Sequence, residues 1–149
     1  MDEQENQSFV TGTITLSSLD MAIYLWKQYN AFSEPFKPKG ATSANFEVLS
    51  SEKYVSSEKI IEKYNLSKKD QKNMSLKEGE TYTVDEMSFN TVDINNNVVS
   101  SGTAVVIYIL PKKEFSIFVK EENDYKLKIR TYLKKKLFAS FPTDHITCY

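Results

Sequence analysis

Apolar and polar residues alternate along the first part of the chain, from Ser8 to Leu16, and this is the period of a half-buried β-strand. The segment Ser17-Ser18-Leu19-Asp20 follows, and a serine with an acid three residues later satisfies free backbone donors at a helix start. Apolar residues then recur at helical spacing, at Ala22, Leu25, Trp26, Tyr29 and Phe32. This pattern predicts a well-buried helix over residues 19–32.

The next part of the chain combines structure breakers with short ordered segments. Residues 33–40 contain two prolines and a glycine, so they predict a loop. A short strand is predicted over residues 45–49. A serine-rich start then predicts a helix over residues 57–65, with Val55 placed to pack against Ile60.

From residue 80 onward the pattern is that of consecutive antiparallel strands. Tyr82 begins one strand, and Asn95-Asn96-Asn97 supplies residues that tolerate the left-handed backbone of a tight turn. Residues 103–110 are continuously apolar and β-branched, as in a central strand. Alternation over residues 115–120 and again over residues 125–134 predicts two further strands.

Together these elements predict an α+β fold. We expect a mostly antiparallel sheet of five or six strands that curls into a small OB-like barrel, since a barrel closes a sheet of this size, with two or three covering helices. Residues 8–149 are expected to form a single globular domain, and the acidic residues 1–7 a flexible tail.

The composition agrees with one domain. The chain has 149 residues, of which 40% are hydrophobic, so it has enough apolar material for a core. Its single cysteine, Cys148, excludes an intrachain disulfide, and its polar N-terminus differs from a secretory signal. The longest apolar run, residues 104–110, is much shorter than the roughly 18 residues of a transmembrane helix. We therefore expect a cytoplasmic protein without a membrane partner.

The sequence carries no catalytic signature. His145 is the only histidine and lies three residues from Cys148 near the end of the chain, where backbone is seldom rigid enough for a nucleophilic relay. These two side chains are also too few for a zinc site. The four glycines are isolated, so no phosphate-binding loop is formed. We expect a protein that is not an enzyme and that uses no metal or cofactor.

Charge is distributed unevenly along the chain. Residues 1–110 carry a net charge of −5 and residues 111–149 a net charge of +4. If residues 125–134 form a strand, alternate side chains project from one face. The residues on that cationic face are Lys126, Lys128, Arg130, Tyr132 and Lys134.

Aromatic residues beside lysines extend this pattern. Single-stranded nucleic-acid binders place lysines along phosphates and stack rings on bases, at about 1–3 kcal/mol per base. One such ring lies on the polar side of its predicted strand, and another lies in the loop over residues 33–40. The further candidate residues are Phe118, Lys120, Phe36, Lys37 and Lys39.

These residues predict a non-enzymatic protein that binds single-stranded nucleic acid, DNA in the first place, with little sequence preference. The dominance of lysine over arginine, with abundant asparagine, serine and tyrosine, is typical of AT-rich bacterial, plasmid, phage or other mobile-element genomes. A faint helix-turn-helix pattern over residues 58–74 is a weaker route to DNA binding, because its second helix lacks an apolar residue to dock it.

The alternative is a protein-binding module, such as an inhibitor, an immunity protein or an accessory factor, or a chain that associates with itself. The nearly balanced charge favours this alternative, since strong nucleic-acid binders are usually basic. Exposed aromatic residues would anchor such an interface, and free sheet edges would accept a partner's strand.

Overall fold

The computed structural model describes residues 8–11, 14–29, 33–74, 81–109, 114–133 and 143–149. The predicted tail at residues 1–7 lies outside these ranges. The elements in chain order are β1 (Ser8–Thr11), β2 (Ile14–Ser17), α1 (Ser18–Gln28), β3 (Ser43–Tyr54), α2 (Ser57–Tyr64), α3 (Lys68–Met74), β4 (Tyr82–Val92), β5 (Val98–Ile109), β6 (Glu114–Glu121), β7 (Asp124–Leu133) and β8 (Thr143–Cys148).

Strands β3 to β8 form one antiparallel sheet in which every strand pairs with its neighbours in sequence. The predicted α+β fold and antiparallel sheet are therefore confirmed. The sheet is open, because β3 and β8 lie at its two edges and do not pair with each other within the described residues. The predicted closure into a barrel is thus wrong for this sheet.

Helices cover both faces of the sheet, and this explains why it buries its apolar residues without closing. Leu25 of α1 packs in a core with Phe46 and Phe89 on one face, which we call the α1 face. Ile60 of α2 packs in a second core with Phe118 on the other face, which we call the α2 face. Because successive residues of a strand point to opposite faces, a strand covered on both sides is apolar at almost every position.

Helix α1 begins as its sequence predicts. The Ser17 Oγ accepts a hydrogen bond from the Asp20 backbone N–H at 3.0 Å, and Leu25 and Trp26 are buried. The helix ends at Gln28, earlier than predicted, and the Tyr29 backbone N–H closes its last turn by donating to the Trp26 carbonyl. Helical periodicity predicts which face of a helix is buried, but it does not predict the residue at which the helix ends.

Two strand predictions needed correction. The single strand expected from Ser8 to Leu16 consists of β1 and β2, which pair antiparallel with Thr11 opposite Ile14. Alternation alone does not mark a reversal of the chain, because both arms of a hairpin carry the same period. Strand β3 continues to Tyr54, beyond the predicted end at Leu49, through a polar half that has no apolar alternation.

The turns and short helices agree better with expectation. Asn96 adopts a positive φ of 67° in the β4–β5 turn, and Asn65 ends α2 in the left-handed region. Ile60 is fully buried, whereas Val55 remains 72% exposed, so the predicted packing between these two residues does not form. Val55 is thus available to solvent at the end of β3.

Candidate functional site

The cationic face predicted for β7 is divided by a β-bulge. Leu127 and Ile129 pair with consecutive residues of β6, so Lys128 has no partner across the ladder. Leu127 accordingly joins the core of the α2 face, and Ile129 joins the core of the α1 face. Strict alternation would place both on one face. Lys126 and Arg130 therefore lie on opposite faces of the sheet.

Lys128 is buried and is held by other side chains of the fold. Its side chain is buried, the whole residue being only 6% exposed. The Nζ atom donates a hydrogen bond of 2.8 Å to the Ser33 Oγ and forms an ion pair with the Glu121 carboxylate. These contacts tie β7 to the end of β6 and to the loop after α1, so Lys128 is not free to contact a phosphate.

Arg130 is also engaged within the fold. Its Nη1 donates to the backbone carbonyl of Asn73 in α3, and its Nη2 lies 3.6 Å from the Glu114 carboxylate. The guanidinium thus attaches α3 to the sheet. The Tyr132 side chain and the whole of Lys134 lie outside the described part of the molecule, so their assignment stays a prediction.

Two of the predicted stacking rings, those of Phe118 and Phe36, are inaccessible. Phe118 is fully buried beneath α2, and Phe36 is fully buried against the rings of Tyr29, Phe46 and Phe89. The prediction of an exposed Phe118 assumed that one face of β6 meets water, and the covering helices remove that face from solvent. The proline-rich loop likewise folds inward, and the Trp26 Nε1 donates to the Phe36 carbonyl at 2.7 Å.

Lys37 serves the end of helix α1. Its Nζ donates to the carbonyls of Trp26 at 2.9 Å and of Tyr29 at 2.6 Å, and it lies 4.4 Å from the centre of the indole ring. A cation is favourable beside the free carbonyls at a helix C-terminus. Burial lowers the pKa of Lys37 below its ordinary value. Among the site residues whose side chains the structure describes, those that remain exposed are Lys39, Lys120 and Lys126.

Lys126 lines an open groove of about 350 Å³ between α3 and β7. Its lining contains both lysines and acids, together with the exposed residue Tyr149. The charged residues of this groove are Lys69, Lys126, Lys128, Asp70 and Glu121. With three cations against two anions, the groove has only a small positive excess, much less than a long phosphate backbone requires.

A polar network fixes α2 on the sheet. Lys63 Nζ lies 3.1 Å from the Glu52 Oε1, which also accepts a hydrogen bond of 2.7 Å from the Tyr54 hydroxyl. The Tyr64 hydroxyl donates to the Glu86 Oε2 at 2.6 Å. The hydrogen bond to Glu52 raises the pKa of Lys63, and burial raises that of Tyr64. The members of this network satisfy one another, so their role is structural.

Strand β3 lies at one edge of the six-stranded sheet. This strand has twelve residues, and in the described part of the chain it pairs only with β4. A bulge at Leu49 interrupts the pairing between Val48 and Ser50. Leu49 itself is 58% exposed, so an apolar side chain stands at the middle of the edge. A long unpaired edge offers backbone donors and acceptors to another strand.

A shallow depression lies beside the first half of β3. It has a volume of about 230 Å³ and is lined by polar side chains from three neighbouring strands. The alternation with Phe46 and Phe89 of the α1 core puts these side chains on the other face of the sheet, beyond the area covered by α2. The polar lining residues are Asn45, Glu47, Ser88, Asn90 and Ser101.

The adjacent β4–β5 turn exposes further apolar surface. Ile94 is 84% exposed, and Val98 is also largely in solvent. The turn is ordered by Asp93, whose Oδ1 accepts hydrogen bonds of 2.9 Å from the backbone N–H groups of Asn95 and Asn97. A fixed turn therefore holds apolar side chains in water at the end of the sheet where β3 begins.

One buried acid, Asp85, lies on β4 opposite the second half of β3. Asp85 in β4 is fully buried, and its Oδ2 accepts a hydrogen bond from the hydroxyl of Ser18 at the start of α1. Among the described residues, its Oδ1 has no hydrogen-bond partner. Burial raises the pKa of Asp85, while the hydroxyls of Ser18 and Ser51 lower it. Asp85 thus connects α1, β3 and β4.

Sequence reasoning missed the β3 edge because its second half is polar and resembles a loop. A signal was present, since residues 43–54 contain neither proline nor glycine, the two residues that most often interrupt a strand. The edge position itself depends on which strand pairs with which, and no local pattern encodes that choice.

The described ranges contain no group of three or more histidine, cysteine, aspartate or glutamate side chains arranged to hold a metal ion. No helix within them is long and apolar enough to cross a membrane. No protein-family model, curated protein or solved structure matches the chain. Its function must therefore be inferred from its own surface.

Proposed function

We propose that this protein is a protein-binding module that holds an extended segment of a partner against the free edge of β3. The observation that carries the proposal is a twelve-residue strand hydrogen-bonded on one side only within the described chain. Addition of a strand to such an edge gives affinity through main-chain hydrogen bonds and specificity through alternate side chains.

The side chains along the edge support this function. Ala44 and Val48 are partly buried hydrophobic residues on the α1 face, and Leu49 and Val55 expose apolar surface at the middle and end of the strand. A partner strand would shield this apolar surface while its backbone completed the ladder. Exposed aliphatic residues replace here the exposed aromatic anchors that the sequence predicted.

A second copy of the chain meets charge repulsion at this edge in one of its registers. Residues opposite each other in a sheet lie on the same face, and the bulge at Leu49 shifts the alternation by one position. One register that matches faces along two antiparallel copies of β3 brings Glu47 of one copy opposite Glu52 of the other. Like charges directly opposite are destabilising, and we propose a different chain as the occupant.

The test uses a short neutral peptide of alternating threonine and valine, matched in length to residues 43–48, and nuclear magnetic resonance of the labelled protein. We expect the amide signals of β3 to shift and their hydrogen exchange to slow. Leu49→Lys should weaken binding, and Ile94→Lys, the same change at an exposed apolar position of the turn, is the control. Shifts confined to β8, or none, would overturn the proposal.

Binding of single-stranded nucleic acid is the second candidate, because the groove between α3 and β7 carries exposed lysines in spite of its small net charge. Exposed Lys69 and Lys126 line this groove together with the ring of Tyr149. Fluorescence anisotropy with labelled single-stranded and double-stranded oligonucleotides, at low and moderate salt, tests it. Salt-sensitive binding to the single strand that is lost in a Lys69→Glu, Lys126→Glu double variant but kept in Lys59→Glu would support this candidate, and no binding at low salt would remove it.

A further inference from the structure

We infer that the depression beside β3 holds a lysine or arginine side chain of the bound segment, so that the partner is a strand in which basic and apolar residues alternate. This inference rests on the proposed function, because it concerns the side chains of a strand that β3 would bind. It begins with the chemistry of the depression itself.

The polar groups of the depression include one carboxylate and several hydrogen-bond acceptors. Glu47 supplies a carboxylate, and no lysine or arginine of the described chain forms an ion pair with it. The Asn45 Nδ2 donates to the Asn90 Oδ1 at 3.0 Å, which uses an amide donor and leaves the Asn45 Oδ1 as an acceptor. Ammonium and guanidinium groups carry only donors, so they complement this set.

The charge of the depression selects against other ligands. Its lining contains one carboxylate and no cation, so a phosphate or a carboxylate would meet repulsion from Glu47 without compensation. The remaining polar lining groups are serine hydroxyls and asparagine amides, which hydrogen-bond a cation without neutralising it. A single positive side chain thus satisfies the site.

The sheet geometry fixes where that side chain comes from. A strand added beside β3 lies about 4.8 Å away, and its alternate side chains fall on the two faces. Those on the α1 face meet the partly buried Ala44 and Val48, and those on the α2 face meet Asn45 and Glu47. The first set is therefore apolar and the second set basic.

Three peptides of equal length test the inference: lysine alternating with valine, glutamate alternating with valine, and the neutral threonine–valine peptide. We expect the lysine peptide to bind the intact protein about five-fold or more tighter than the glutamate peptide, as one cross-strand charge pair provides. Its binding should also shift the amide signals of Ser88, Asn90 and Ser101.

Charge reversal provides the decisive control. Glu47→Lys should reverse the preference toward the glutamate peptide, whereas Glu58→Lys, the same change at an exposed position of α2, should leave it unaltered. Equal affinities for the three peptides at the β3 edge would overturn the inference and leave the proposed function standing. Absence of all three peptides from the β3 edge would overturn both.

Discussion

Replacement of Phe118 by alanine tests whether this ring of β6 is buried, as in the structure, or exposed, as the sequence predicted. The ring is fully buried between the sheet and α2. A phenylalanine removes roughly 150–250 Å² from water, which at about 25 cal/mol per Å² amounts to about 4–6 kcal/mol. Alanine retains part of that surface, so we expect a loss of about 3–5 kcal/mol in the free energy of unfolding.

Urea unfolding followed by circular dichroism measures this loss. A domain of this kind has a total stability of about 5–15 kcal/mol and loses about 2 kcal/mol per molar urea, so the midpoint should fall by about 2 M. Leu49→Ala, at an exposed apolar position, is the control and should change stability by no more than about 0.5 kcal/mol. A similarly small change for Phe118→Ala would mean that the ring is in solvent, and the two-sided packing of the sheet would be refuted.

Two further predictions concern buried charge. Burial raises the folded-state pKa of Asp85 above its ordinary value of 3.8, so the native protein should lose stability as pH rises from 3.8 toward the raised pKa. The stability of Asp85→Asn relative to the unchanged protein, measured by urea unfolding, should therefore increase over this interval. Parallel pH profiles of the two proteins would contradict this prediction. Lys128→Met should lower the free energy of unfolding by about 1–3 kcal/mol, because it leaves Glu121 and Ser33 without their cation. In a double-mutant cycle, Glu121→Gln should recover part of that loss. Independent effects of the two substitutions would show that Lys128 and Glu121 do not interact.

Local signals predicted the elements whose residues report on their own backbone. The cap at Ser17 and the apolar spacing of Leu25 and Trp26 specify α1, and Asn96 marks a turn because it tolerates a positive φ. These features depend on a few neighbouring residues. They were therefore readable without knowledge of the rest of the fold.

Features that depend on residues distant in the chain could not be predicted from the sequence. The bulge at Lys128 exists because Leu127 and Ile129 enter different cores, and nothing in an alternating pattern distinguishes this from a regular strand. The burial of Phe118 likewise depends on a helix more than fifty residues earlier in the chain. Period-two alternation assigns residues to faces, but only the tertiary structure decides which face meets water.

The contacts that the predicted cations make within the fold indicate which groups remain free to bind a partner. Lys37 satisfies carbonyls at the end of α1, Lys128 pairs with Glu121, and Arg130 attaches α3 to the sheet. A side chain whose donors are used within the fold has little left to offer a ligand, since leaving the former partner buried and unpaired costs free energy. The outer backbone edge of β3 and the Glu47 carboxylate have no such internal partners among the described residues. A partner that supplies a strand and a positive charge would satisfy both at once.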